Sequence, residues 1–166
     1  DVRLTLLDSV AKKCAFLEAA VAATGLGARA AVICARSEAL AARAVRPADT
    51  AARTSSHPSC SGSGREAFDV VLVRAVASLA TVVELATPLL ARQGVLLAVK
   101  TAAALPAEGP PGDAAAERCG LSPGSVTPLR RSPLTDSVCA VYAKRAPAPD
   151  WLPRRPGVAA KRPLAV

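Results

Sequence analysis

Several positions in this chain pair a reactive side chain with a place where a folded protein could use it. Asp8 closes the apolar run Val2-Arg-Leu-Thr-Leu-Leu7 and stands just before a helical pattern. A carboxylate at the end of a parallel strand can accept two hydroxyl donors, as from the ribose of a nucleotide. The plainer reading is that Asp8 caps the helix behind it. Arg74 ends the run Phe68-Asp-Val-Val-Leu-Val-Arg74, and Lys100 ends Gly94-Val-Leu-Leu-Ala-Val-Lys100. A guanidinium at the carboxyl edge of a parallel sheet faces the ligand crevice, where it clamps a carboxylate bidentately or reaches a phosphate. Its alternative is a salt bridge to Asp69 or Glu84. Ser37-Glu38 follow the apolar run Arg29-Ala-Ala-Val-Ile-Cys34. From pattern alone they read as a polar loop.

Other chemistries find no support in the residues. There is no G-x-S-x-G elbow, no phosphate-cradling glycine loop ending in Lys-Ser/Thr, and no plausible Cys/His pair. These residues argue against a hydrolase and an NTPase. The cysteines (Cys14, Cys34, Cys60, Cys119, Cys139) are scattered without a C-x-x-C pair, and His57 is the sole histidine. That pattern holds no metal and suits thiols kept reduced.

The elements that must position these residues follow from periodicity. Residues 2–7, 29–34, 68–74 and 94–100 read as buried strands. Between the first two, Val10, Cys14, Leu17 and Val21 recur at helical spacing, with Ser9 as N-cap and Gly25 and Gly27 as the stop. A second helix is predicted at about 78–91, with Leu79, Val82, Val83, Ala86 and Leu90 on one side. Residues 46–67, rich in Ser, Pro, Arg and Gly, read as a disordered insertion. The Pro- and Gly-broken stretch 102–123 leaves room for one short helix. Strands at about 125–130 and 137–144 are close enough to form an antiparallel pair at a sheet edge. Alternating strands and helices predict an α/β fold with a parallel sheet.

Half of the chain is apolar but only 2% is aromatic, so the core must be built from Ala, Val and Leu. No apolar stretch is long enough to span a bilayer, and a monomer is expected. The formal net charge is +8. Lys144, Arg145, Arg154, Arg155, Lys161 and Arg162 stand against Asp150 alone in residues 144–166, so most of the excess lies at the end of the chain. Prolines between residues 147 and 163 favour an extended tail. Arg154-Arg155 and Lys161-Arg162 are then placed to contact phosphates of a nucleic acid. Trp151 either stacks on a base or packs against the domain. The expected division is a domain over 1–145 and a basic tail over 146–166.

The segment Leu6-Leu-Asp-Ser-Val-Ala-Lys-Lys-Cys-Ala-Phe-Leu17 and the tail Trp151-Leu-Pro-Arg-Arg-Pro-Gly-Val-Ala-Ala-Lys-Arg-Pro-Leu164 resemble segments of the small-subunit ribosomal RNA methyltransferase G family (RsmG, also called GidB). The resemblance extends over most of residues 3–45, 68–101 and 137–164. It implies a Rossmann-like class I methyltransferase sheet whose terminal strand pair is antiparallel. It also implies that S-adenosylmethionine is the cofactor and that the product is N7-methylguanine in 16S rRNA, as free rRNA or in the small subunit. Asp8 and Ser9 would then serve the cofactor ribose, and Ser37 and Glu38 the adenine, where the family commonly shows Arg-Ala-Glu and this chain has Arg36-Ser37-Glu38. Arg74 falls in the family's Arg-Ala segment and would clamp the methionine carboxylate or reach a phosphate of the RNA. Lys100-Thr101 stands where the family has Lys-Gly. Lys100, Arg154, Arg155, Lys161 and Arg162 would face the RNA.

Guanine N7 carries a free lone pair, so the reaction needs positioning and desolvation rather than a general base. The lack of a catalytic His or paired carboxylates is consistent with that. The chain contains no Met, and its first residues read as the middle of a domain. The family's first strand and its Gly-rich turn are expected to be missing, which would weaken cofactor binding, stability and activity. Two other readings remain: a non-catalytic RNA-binding or ribosome-assembly relative, and a class I methyltransferase acting on a small molecule or protein. A bacterial cytoplasm is the expected location, with a plastid or other organelle as the alternative.

Overall fold

The predicted elements separate into two units in the computed structural model, which describes residues 2–42, 64–129 and 136–164. The first unit is Asp1–Ser63 and the second Gly64–Val166.

In the first unit, strand β1 (Leu4–Asp8), helix α1 (Ala11–Ala23), strand β2 (Ala30–Cys34) and helix α2 (Ser37–Ala42) follow in order. The strands pair in parallel, in a register that sets Leu4 opposite Ala30 and Asp8 opposite Cys34. Parallel neighbours need a crossover, and α1 supplies it. Its C-terminus closes as the sequence predicts: Gly25 takes a left-handed φ of 68°, and Leu26 N–H returns to Val21 O at 3.1 Å. That arrangement satisfies carbonyls the helix would otherwise leave bare. The helix start differs from expectation. Val10, not Ser9, is the N-cap residue, and it offers no side-chain cap. The expected buried stripe also narrows to Cys14: Leu17 and Val21 are half-buried and Val10 is exposed.

The second unit contains β3 (Phe68–Arg74), α3 (Leu79–Ala86), β4 (Leu90–Thr101), α4 (Leu105–Cys119), β5 (Ser125–Pro128), β6 (Ser137–Ala143) and α5 (Val158–Lys161). Its sheet has the order β3-β4-β6-β5. Strands β3 and β4 are parallel, whereas β6 is antiparallel to both β4 and β5. The α/β class and the closing antiparallel pair thus agree with the sequence reading. Val71 and Val73 of β3 pack on the core, while Val70 and Leu72, alternating with them, are exposed.

Three sequence expectations are corrected here. First, β4 begins at Leu90, so α3 stops at Ala86 rather than near 91. Pro88 has no N–H to continue the helix. Second, the stretch after Thr101 holds a long helix, α4, despite Pro110 and Pro111 inside it. Packing on α3 outweighs the lost backbone bonds: Gly112, Ala115, Ala116 and Cys119 are buried. Small residues let the two helices approach closely. A Cβ on Gly112 would lie 2.7 Å from Tyr142 Oη and 2.8 Å from Leu79 Cβ.

Third, the C-terminal segment is not an extended tail. Leu152 and Leu164 belong to the hydrophobic core, and Ala148 and Ala159 are buried. Residues 64–67, expected in the insertion, help hold this segment, while residues 46–63 lie outside the described ones. Arg65 donates to Leu152 O at 2.5 Å, Ala148 O at 3.0 Å and Pro149 O at 3.2 Å. Glu66 Oε1 accepts from Lys144 Nζ at 2.6 Å and from Ala148 N at 2.8 Å. These two bonds hold the Glu66 carboxyl below its ordinary range, the lysine contributing most.

Two outcomes follow. Gly112→Ala gains about 1 kcal/mol of helix propensity but overpacks a fully buried tyrosine, which costs about 1–3 kcal/mol. The net should be a loss, seen as a lower urea midpoint; a higher midpoint would show that α4 is not packed this tightly. Glu66 contributes stability that is complete above its unfolded pKa of about 4.3 and is lost as pH falls through its lowered folded value. The stability gap between the protein and Glu66→Gln should be constant near neutrality and shrink below about pH 4. A gap independent of pH from 7 to 3 would contradict the assignment.

Candidate functional site

The carboxyl ends of parallel strands are where α/β sheets bind ligands, and each unit has such an edge. In the first unit the register places Asp8 beside Cys34, so Asp8-Ser9 and Ser37-Glu38 emerge from the same ends of adjacent strands. Asp8 Oδ1 accepts the Val10 N–H at 2.9 Å. Its Oδ2 lies 3.6 Å from Lys13 Nζ, a long pair with the lysine side chain 67% exposed. Such a pair holds the carboxylate loosely. One oxygen thus fixes the chain entering α1, while the other is only loosely paired.

The backbone around Asp8 is firmly set. Its carbonyl accepts Ala35 N–H at 2.9 Å and the Cys14 thiol at 3.3 Å. The Cys14 thiol is pushed up to about 11, first by its hydrogen bond to Cys34 and then by burial. Burial likewise pushes Cys119 up to about 11. Neither is a nucleophile near neutral pH. Ser9 is exposed. Ser37 Oγ donates to Glu38 Oε2 at 3.2 Å, and Glu38 is buried. In a six-residue helix directly after a strand, those two side chains are fixed rather than solvated.

In the second unit, Arg74 ends β3 and Lys100 lies next to the end of β4. Arg74 is exposed and, among the described residues, pairs with neither Asp69 nor Glu84. Ala75 behind it has a left-handed φ of 54°. That costs a residue with a Cβ roughly 1–2 kcal/mol, and such strain collects at ligand sites. Lys100 is different. Its ammonium reaches Glu108 Oε2 at 2.7 Å and donates to Ala77 O, with the side chain 13% exposed. The same Glu108 oxygen accepts the Leu79 N–H at 2.8 Å, standing in for the cap that Ser78 does not provide. Lys100 thus buttresses the start of α3.

The C-terminal cations also divide. Arg154 donates from Nε to Glu84 Oε1 and from Nη2 to Glu84 Oε2, both at 2.5 Å. The Glu84 side chain is 1% exposed. A buried carboxylate needs such a fork to offset its lost hydration. The sequence offered Glu84 to Arg74; the structure gives it to Arg154. Arg155, Lys161 and Arg162 are exposed, and Trp151 is 48% exposed, so the indole neither buries fully nor stands free. Sequence reasoning missed Arg65, Glu66, Arg118 and the structural role of Lys144. A carboxylate in the otherwise uncharged helix Leu79–Ala86 was the one available signal for a buried ion pair.

Among the described residues no group of His, Cys, Asp or Glu could hold a metal ion, and no helix is long and apolar enough to cross a membrane.

Residues 1–108 match the family model GidB, rRNA small subunit methyltransferase G. Proteins named ribosomal RNA small subunit methyltransferase G are similar over nearly the whole chain. The one from Roseiflexus castenholzii is 35% identical over 164 residues, covering 99% of this chain and 62% of the relative. That from Moorella thermoacetica is 31% identical over 172 residues, covering 99% and 60%. The Lacticaseibacillus paracasei protein is 38% identical over 104 residues, covering 60% and 41%. The chain spans about three fifths of the length of the first two relatives.

Removing one partner of the Arg154–Glu84 pair should strand a buried charge. Arg154→Leu is expected to cost about 3–5 kcal/mol, and adding Glu84→Leu should recover much of it, since no charge is then left buried alone. Chemical unfolding of both variants checks this, and additive losses would show that the two side chains act independently.

Proposed function

The chain belongs to the GidB family, rRNA small subunit methyltransferase G, and from that premise we propose that it serves S-adenosylmethionine-dependent methylation of guanine N7 in 16S rRNA. The observation that carries the reading is the shared carboxyl edge of β1 and β2, where Asp8 stands opposite Cys34 and Ser37-Glu38 follow. Asp8, with one carboxylate oxygen only loosely paired, fits a ribose diol. Ser9 lies beside it, and Ser37-Glu38, fixed against each other, suit an adenine edge. S-adenosylmethionine would supply an electrophilic methyl group. The chain's own contribution is to bind, orient and desolvate, since N7 has no proton to lose.

Arg74 stands in the second unit without an ion pair among the described residues, a guanidinium able to clamp a carboxylate or a phosphate. Contact with RNA falls to Arg155, Lys161 and Arg162, which are exposed. Lys100 and Arg154, both closed by carboxylates, hold the frame that presents them. The partner is then 16S rRNA or the small subunit, met in a bacterial cytoplasm by a monomer.

The test is transfer of labelled methyl from S-adenosylmethionine to 16S rRNA by the full-length protein, with cofactor affinity measured beside it by equilibrium dialysis. Asp8→Asn should weaken cofactor binding by about tenfold or more, the worth of a hydrogen bond to a charged group, with little change in RNA affinity. Unchanged cofactor affinity would remove Asp8 from the site. RNA binding with no methyl transfer would instead make the protein a non-catalytic relative.

A further inference from the structure

We propose that the second unit carries a pocket for a backbone phosphate of the RNA, in which Arg118, Lys161 and Arg162 meet the phosphate and Arg154, held by Glu84, braces the wall. It deepens the rRNA reading, on which it rests, by naming where the polyanion is gripped. These four side chains, with Pro163 and Leu164, line a cavity of about 460 Å³ that opens to solvent. Four cations around one cavity repel each other, and an anion relieves that repulsion. Only Arg154 is neutralised within the protein, by Glu84. Among the described residues Arg118, Lys161 and Arg162 form no ion pair with a carboxylate.

The pocket is also braced. Arg154 Nη2 donates to Arg162 O at 2.6 Å, and Arg118 Nη1 donates to Leu164 O at 2.5 Å. Thr81 Oγ1 donates to Ala159 O at 3.2 Å. Two arginines and a threonine thus grip the backbone on both sides of Lys161-Arg162, whose side chains remain exposed. Fixing the backbone before binding lowers the ordering cost that a loose basic tail would incur. Arg118 sits in the last turn of α4, where a cation also suits the helix dipole. The dipole explains a charge at that position, but not its convergence with three others on one cavity. The cavity's open mouth suits a polymer passing across it better than a small enclosed metabolite, so the phosphate oxyanion is assigned to an RNA strand.

The experiment is the salt dependence of binding of a fluorescent 16S rRNA fragment to the full-length protein. Each lost phosphate contact lowers the slope of log K against log salt by about one. The pair Lys161→Gln with Arg162→Gln should lower it by about two and leave the melting temperature unchanged. Arg118→Gln should lower it by about one, and Arg118→Lys should restore it. Slopes equal to wild type in folded variants would overturn the pocket while leaving the rRNA reading intact. Reduced slopes in a protein that methylates no rRNA would keep the pocket and remove the enzymatic reading. Inorganic phosphate at matched ionic strength should compete only weakly; binding as tight as that of the RNA fragment would make this a free-anion site and overturn the assignment to RNA.

Discussion

An ammonium group withdrawn from water needs its acceptors inside the protein, and at Lys144 that need joins distant parts of the second unit. Its side chain is 1% exposed. Nζ donates to Glu66 Oε1 at 2.6 Å, to Leu90 O at 2.6 Å and to Thr87 O at 3.2 Å. Three donors meet three acceptors, the full capacity of an ammonium. The carbonyls belong to the end of α3 and the start of β4, and the carboxylate to the segment before β3. Lys144 follows β6, so one side chain fixes where the sheet ends and where the C-terminal segment departs. From that point Arg65 and Glu66 take over, bonding to Ala148, Pro149 and Leu152.

The same economy of charge explains why net charge is a poor guide to the ligand face. The excess of cations after residue 143 suggests a polyanion-binding tail, yet Lys144 and Arg154 of that segment are satisfied internally. The Arg154 fork on Glu84 and the Lys144 cluster each neutralise one buried carboxylate or complete one buried ammonium, and neither cation is then available to a phosphate. What remains for a partner is Arg145, Arg155, Lys161 and Arg162, joined by Arg118, which lies far away in sequence. The functional positive charge is thus smaller than composition suggests, but it is held in place by the cations that were diverted inward.

The strands and their order of appearance were legible because β-branched and aliphatic runs have few other uses. Phe68–Arg74 was read to the residue, and Asp8, Arg74 and Lys100 were correctly set at or beside strand ends. Their partners were not legible. Lys13 lies one helical turn from Asp8 and could have been guessed, but Glu108 meeting Lys100 and Glu84 meeting Arg154 depend on tertiary approach that no spacing encodes. The family resemblance carried the roles proposed for Ser37 and Glu38, because a Ser-Glu pair after a strand is chemically unremarkable on its own. Local reading failed most clearly where proline was taken as decisive.

Proline removes a donor and fixes φ, but it does not forbid order where packing supplies the lost free energy. In α4, Pro106 lies in the first turn, where its missing N–H has no intrahelical partner to lose. Pro110 and Pro111 do sacrifice bonds. The helix persists because Gly112, Ala115, Ala116 and Cys119 bury one face, Glu108 binds Lys100 and Leu79 N–H, and Asp113 Oδ1 accepts Gly124 N–H at 2.8 Å. In the C-terminal segment, Leu152 and Leu164 bury in the core while Arg65, Arg118 and Arg154 take up its carbonyls. Arginine does there what regular secondary structure does elsewhere: it satisfies backbone acceptors that the prolines leave without a neighbouring N–H. A proline-rich basic segment can therefore be rigid when the arginines that make it basic also hold its backbone.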